Sequence, residues 1–124
     1  MLETAELIAF VASTDLERSR TFYETTLGLR FVEQSPYACV FDARGTMLRV
    51  TLVAPAGAPD HTVLGWRVAD ITGAVRDLAE RGVPTTWFSG MDQDDDGVWT
   101  TPGGDRVAWF TDPDGNTLSF TQFC

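Results

Sequence analysis

Apolar residues recur along the chain with two different periods, and the changes between them mark out its elements. Leu7 to Ala12 is a nearly continuous apolar run closed by Ser13-Thr14-Asp15, the pattern of a buried strand ending at a helix cap. From Asp15 the spacing lengthens. Leu16, Ser19, Tyr23 and Leu27 share one helical face with Phe22 beside it, and Gly28 stands where a helix stops. Arg30 to Glu33, Ala38 to Asp42 and Thr46 to Val53 then read as strands, with Ser35-Pro36 and Ala43-Arg44-Gly45 as turns between them. After a Pro/Gly/Ala-rich stretch at 54–60 the order begins again. Val63 to Ala69 predicts a strand, and Asp70 caps a helix with Ile71, Ala74, Val75, Leu78 and Ala79 on one face before Gly82. Strands are expected at Val83 to Phe88, Val98 to Thr101, Arg106 to Phe110 and Thr117 to Phe123.

The repeated order can be registered on shared punctuation. Asp15 and Asp70 stand 55 residues apart, whereas Gly45-x-x-Leu48-x-x-Thr51 and Gly115-x-x-Leu118-x-x-Thr121 stand 70 apart, so the second copy holds 15 additional residues. Gly90 to Gly104 is the insertion that accounts for them. The expected fold is α+β, two β-α-β-β-β modules at about 5–53 and 61–124 joined by a linker at 54–60.

Composition narrows the partners. The 124 residues suit one domain, and 44% hydrophobic content with four Trp and eight Phe supplies a packed core. Eighteen acidic against nine basic side chains give a formal charge of −9, which would repel nucleic acid and anionic membrane surfaces. No apolar run approaches the roughly 18 residues of a membrane span, and residues 1–6 carry no basic leader, so the expectation is a cytoplasmic protein with neither partner. Cys39 and Cys124 have no metal-type spacing and read as plain thiols.

Three sets of residues carry a resemblance. They are Asp15-Leu16-Glu17-Arg18-Ser19 with Phe22-Tyr23 and Leu27-Gly28-Leu29, then Val68-Ala69-Asp70-Ile71 with Leu78 and Gly82-Val83, and the turn Asp112-Pro113-Asp114-Gly115-Asn116. Spanning nearly the whole chain, they resemble the vicinal oxygen chelate superfamily of glyoxalase I, bleomycin-resistance proteins, fosfomycin-resistance thiol transferases and extradiol dioxygenases. The resemblance implies a curled mixed sheet around a concave pocket, and a homodimer. It also implies four metal-ligand positions, one seven residues before each capping Asp and one in the last strand of each module. Here these positions hold Ile8, Val63, Arg49 and Ser119. Two aliphatic side chains, a guanidinium and a serine hydroxyl are not a ligand set, so neither metal nor cofactor is expected. His61, the only histidine, lies two residues before Val63 and would share its face if the strand reached that far. It reads as a polar residue at the linker edge, a ligand contact or proton carrier, or, with Glu33 or another carboxylate, a weak metal ligand.

If positions 8, 49, 63 and 119 face the pocket, alternation directs Phe10, Ala12, Met47, Thr51, Gly65, Arg67, Thr117 and Thr121 there as well. Arg49 and Arg67 would each meet an acidic side chain or a bound anion, since an unpaired buried guanidinium is costly. Parity turns Trp66 towards the helix. Trp87, Trp99 and Trp109 flank the insertion and are either core residues or stacking walls for a planar ligand. Asp92, Asp94, Asp96 and Gly97 match positions 1, 3, 5 and 6 of a calcium loop, but Gly103 stands where the bidentate Glu is needed, and no helices flank the loop. It reads as a solvated loop or as a lid presenting Asp92 or Gln93. No phosphate-binding or nucleophile-elbow motif is present. The function expected is a metal-independent small-molecule binding protein of the glyoxalase/bleomycin-resistance type, holding an anionic or aromatic compound. The expected contacts are Phe10, Arg49, Thr51, His61, Arg67, Trp87, Asp92, Trp99, Trp109 and Ser119. The alternatives are a glyoxalase- or dioxygenase-like enzyme with a non-standard or absent metal site, and an interaction module with a vestigial pocket.

Overall fold

Asp15 opens the first helix as its position predicts. In the computed structural model, which describes all 124 residues, its carboxylate accepts a hydrogen bond from the Arg18 N–H at 3.1 Å. The chain forms two compact units, Met1–Gly57 and Ala58–Cys124. In the first, strand β1 (Ile8–Ser13) leads into helix α1 (Leu16–Arg20), which continues as a π-helix over Thr21–Thr26. Strands β2 (Arg30–Gln34), β3 (Ala38–Ala43) and β4 (Thr46–Leu52) follow. The sheet order is β1-β4-β3-β2, with β1 and β4 parallel and the other pairs antiparallel.

The second unit repeats this order. It comprises β5 (Thr62–Arg67), helix α2 (Ile71–Glu80), β6 (Trp99–Thr100), β7 (Arg106–Thr111) and β8 (Thr117–Gln122), arranged β5-β8-β7-β6 with β5 and β8 parallel. The fold is therefore α+β, built from two β-α-β-β-β modules. None of its helices is long and apolar enough to cross a membrane.

Each helix covers one face of its own sheet. Val11, Phe41, Leu48 and Val50 are buried with Leu16, Phe22 and Tyr23 in the first unit, where the Phe22 and Tyr23 rings meet edge-to-face at 5.0 Å. Both rings are buried, and the turn that carries them is π-helical, closed by Leu27 N–H to Phe22 O, where an α-helical turn was expected. In the second unit Ile71 and Val75 cluster with Val98 and Ala108, with Val68 and Phe120 packed against them, and Leu78, Phe110 and Leu118 are buried as well. Trp66 stacks on Phe110, on the helix side as its parity requires.

Two strand expectations are corrected. Val83 to Phe88 forms no strand. Pro84 has no N–H for a ladder, and the segment keeps a single backbone bond to β7, Thr86 N–H to Trp109 O at 2.8 Å; a side chain supplies the rest, with Phe88 N–H donating to Gln93 Oε1 at 2.8 Å and Gln93 Nε2 donating to Thr86 O at 3.0 Å. The strand expected at Val98 to Thr101 shrinks to Trp99–Thr100.

Candidate functional site

The ladder pairs residues as the 55- and 70-residue offsets require. Phe10 faces Arg49 and Ala12 faces Thr51 across β1–β4, while Gly65 faces Ser119 and Arg67 faces Thr121 across β5–β8. The register slips at the start of β5, where Thr62 pairs with Thr117 and Leu64 with Leu118, leaving Val63 as an extra residue. Because β5 begins at Thr62, His61 lies in the exposed bend before it, and strand alternation does not carry it to the face of Val63.

On the face of the second sheet away from α2, two rows run across the strands. One is Gly65–Ser119–Trp109 and the next is Arg67–Thr121–Val107–Trp99. Trp109 is the centre of an aromatic wall: Phe88 meets it edge-to-face at 5.2 Å, and Trp99 lies at 6.2 Å with its ring tilted by 33°. All three are half-buried. Between this wall and Arg67 the floor is made of Gly65, Ser119 and Thr121, residues with small side chains or none. From Arg67 to Trp99 is three interstrand steps, or roughly 14 Å. Arg67 is exposed rather than buried, so it does not need the partner expected of it; it belongs to none of the ion pairs of the chain, and its guanidinium carbon lies 5.0 Å from the centre of the Phe123 ring. The trough thus has a π-rich wall at one end, a cation at the other and hydroxyls between.

Phe88 is the wall residue that sequence reasoning missed. Its signal was the opposite parity of two adjacent aromatics, Trp87 and Phe88. Trp87 itself joins neither Trp99 nor Trp109. It is 57% exposed and lines a separate groove with Val75, Arg76 and Ala79 of α2.

In the first unit Arg49 is half-buried between Phe10, which is 61% exposed, and Val40, again outside any ion pair. Thr51 occupies the neighbouring row, between Ala12 and Ala38. The insertion is pinned rather than free. Gln93 donates to Thr86 O and Gly97 O and accepts from Phe88 N–H, so both of its donors are committed to backbone groups. Asp92 remains exposed on the same loop.

The residues do not fit a metal. Ile8, Val63, Arg49 and Ser119 occupy the four positions with one hydroxyl among them, and nowhere do three His, Cys, Asp or Glu side chains gather as a cation site. Cys39 is buried with its thiol donating to Gln34 Oε1 at 3.3 Å, and burial pushes its pKa up, away from the thiolate.

Residues 7–120 match the model of the Glyoxalase/Bleomycin resistance protein/Dioxygenase superfamily, and the chain belongs to that family. Among solved structures it is similar to TnmS3, an antibiotic binding protein from Streptomyces sp. CB03234, with 26% identity, a TM-score of 0.77 and coverage of 100% of this chain and 99% of that one. A glyoxalase/bleomycin resistance protein from the same organism is 27% identical, with a TM-score of 0.69 over 95% of this chain and 100% of that one. A lactoylglutathione lyase from Agrobacterium tumefaciens has the same fold at 16% identity, with a TM-score of 0.74 and coverage of 96% and 93%. No curated protein matches the sequence.

Proposed function

We propose that this protein binds a planar aromatic molecule bearing an anionic group, and does so without a metal. The observation that carries the reading is the trough of the second sheet. Trp109, held between Phe88 and Trp99, offers a stacking surface, the half-buried Thr121 offers a hydroxyl beside the buried Ser119, and Arg67 has no carboxylate to neutralise it. A ligand ring against the indoles would direct its carboxylate along the floor towards the guanidinium, where a bidentate pair can form. On the first sheet Arg49, beside Phe10 and Thr51, offers the same combination of cation, aromatic and hydroxyl. The similarity to an antibiotic binding protein supports binding over turnover. The exposed apolar neighbours Ile8, Met47 and Phe10 support a homodimer in which a second copy covers part of the first sheet.

The test is a titration of the purified protein with 2-naphthoate and, as the uncharged comparison, 2-naphthalenemethanol, followed by Trp fluorescence and thermal shift. Naphthoate quenches the fluorescence and raises Tm. Arg67→Gln weakens naphthoate about tenfold and leaves naphthalenemethanol unchanged. Equal loss for both ligands, or a stoichiometric transition metal in protein purified without chelator, overturns the reading.

A further inference from the structure

A second cleft lies on the helix side of the same unit, apart from the trough. It is a groove of about 220 Å³ between α2, the extended 83–88 segment and the acidic loop, with Val75, Ala79 and Pro84 as apolar lining, the paired Arg76 and Asp96 also in its wall, and Trp87 and Asp95 as its aromatic and unpaired acidic groups. Two features make it more than a surface dent. Trp87 leaves over half its surface exposed, although a side chain of that size ordinarily finds a place in the core. The carboxylates of the loop are also unequally committed. Asp94 accepts from the Asp96 and Val98 N–H groups and pairs with Arg106 at 3.5 Å, and Asp96 takes both guanidinium donors of Arg76 at 3.1 and 3.0 Å. Asp95, between them, is exposed and bound to nothing.

The surroundings hold Asp95 in place. Thr85 donates to Asp96 O at 2.9 Å, and Gly97, at φ 87°, sits so close to Thr85 that a Cβ would come within 2.0 Å of its methyl carbon. The rim is therefore fixed by Asp94, Asp96 and Gly97, and Asp95 is left to face the groove. Because Arg76 is neutralised by Asp96, the local charge is that of Asp95. The exposed indole of Trp87 supplies π-density that can attract a cation, the apolar lining suits alkyl groups, and one carboxylate completes the charge. Anions are disfavoured here by Asp95 and by the net charge of −9.

We infer that Trp87 and Asp95 form a binding site for a small alkylated organic cation, such as a quaternary ammonium group. The site is independent of the anionic-ligand trough.

The test uses choline and its uncharged isostere 3,3-dimethyl-1-butanol, titrated into the full chain labelled with ¹⁵N. Choline is expected to shift the Trp87 indole N–H and the amides of Thr85, Asp95 and Asp96 saturably, with the butanol weaker by roughly fivefold or more. Asp95→Asn raises the choline midpoint by about threefold or more and leaves that of the butanol in place. Trp87→Leu removes the response at Thr85 and Asp96. Equal midpoints for the two probes, shifts centred on Trp99 or Trp109, no saturable shift at Trp87, or an unchanged midpoint in Asp95→Asn would each overturn the assignment. The spectra report folding directly, and if Trp87→Leu does not fold, the isostere comparison and Asp95→Asn still decide.

Discussion

Gly65 and Ser119 face each other across β5 and β8 so closely that a Cβ on residue 65 would lie 2.9 Å from Ser119 Oγ and 3.3 Å from its carbonyl oxygen. The first unit places Phe10 against Arg49 at the equivalent step of its own parallel pair. One repeat thus fills this position with two large side chains, and the other empties it. The emptied version leaves the low floor between Arg67 and the Trp109 wall.

Gly65→Ala is accordingly expected to destabilise the protein by about 1 to 3 kcal/mol, because the new methyl forces the Ser119 hydroxyl to move. Adding Ser119→Ala removes the nearest clashing atom and should restore a large part of that loss. Urea unfolding of the two single variants and the double variant measures the coupling. Strict additivity would show that the hydroxyl is not the obstacle. Gly65→Phe, which copies Phe10, would place a ring on the trough floor and is expected to abolish naphthoate quenching.

Ser13 and Ser19 form a fully buried hydroxyl pair at 2.6 Å between β1 and α1, and the matching positions of the second unit are Val68 and Ala74. Ser19→Ala leaves Ser13 with only the Asp15 N–H, which it accepts at 3.1 Å, and should cost about 1 to 2 kcal/mol. The double variant Ser13→Val with Ser19→Ala replaces both hydroxyls with the apolar pair of the other repeat. It is expected to be more stable than Ser19→Ala alone, as read by thermal unfolding.

The comparison of repeats explains what could be read in advance. Capping Asp residues, the helical faces and the Gly-x-x-Leu-x-x-Thr signatures are local patterns, and they located both helices and the repeat; that Arg67 lies opposite Thr121 is a property of the sheet. The extra residue Val63, the π-helical turn after Arg20 and the failure of Val83 to Phe88 to become a strand depend on distant partners. Trp87 was the aromatic expected beside the ligand and Phe88 is the ring that meets Trp109, because one backbone bond to β7, not a ladder, holds that segment. Parity could name Phe10, Thr51 and Arg67 as candidate ligand side chains only after the resemblance had supplied the positions 8, 49, 63 and 119 to count from. That Gln93 is spent on backbone groups, and that Trp87 lines a different groove, came from tertiary contacts.

Gln93 replaces a strand with one amide, so its removal should be felt along the segment it holds. Gln93→Ala strands the Phe88 N–H and the Thr86 and Gly97 carbonyls, with an expected loss of about 2 to 3 kcal/mol. Hydrogen exchange at Phe88 should accelerate more than at the β7 amides. Gln93→Glu is expected to be worse near neutral pH, where a carboxylate has no donor for the two carbonyls, and to improve in acid as the side chain becomes protonated.

The Arg76–Asp96 pair ties α2 to the insertion and sets an acid limit on that tie. Asp96 lies below its ordinary value of 3.8, chiefly because Arg76 donates hydrogen bonds to its ionised form, with Arg76 and Arg106 adding charge attraction against the opposing effect of burial. The folded state therefore holds its proton less tightly than the unfolded chain. The contribution is complete above pH 3.8 and is lost as pH falls through the depressed native value. Arg76→Gln should lower Tm by a constant amount from neutrality down to about pH 5, and the gap should close at lower pH. Asp94 and Arg106 remain in both proteins, so acid loss from their pair cancels in the comparison. A gap that persists unchanged at about pH 2 would assign the effect of Arg76 to packing on α2 instead of to the charge on Asp96.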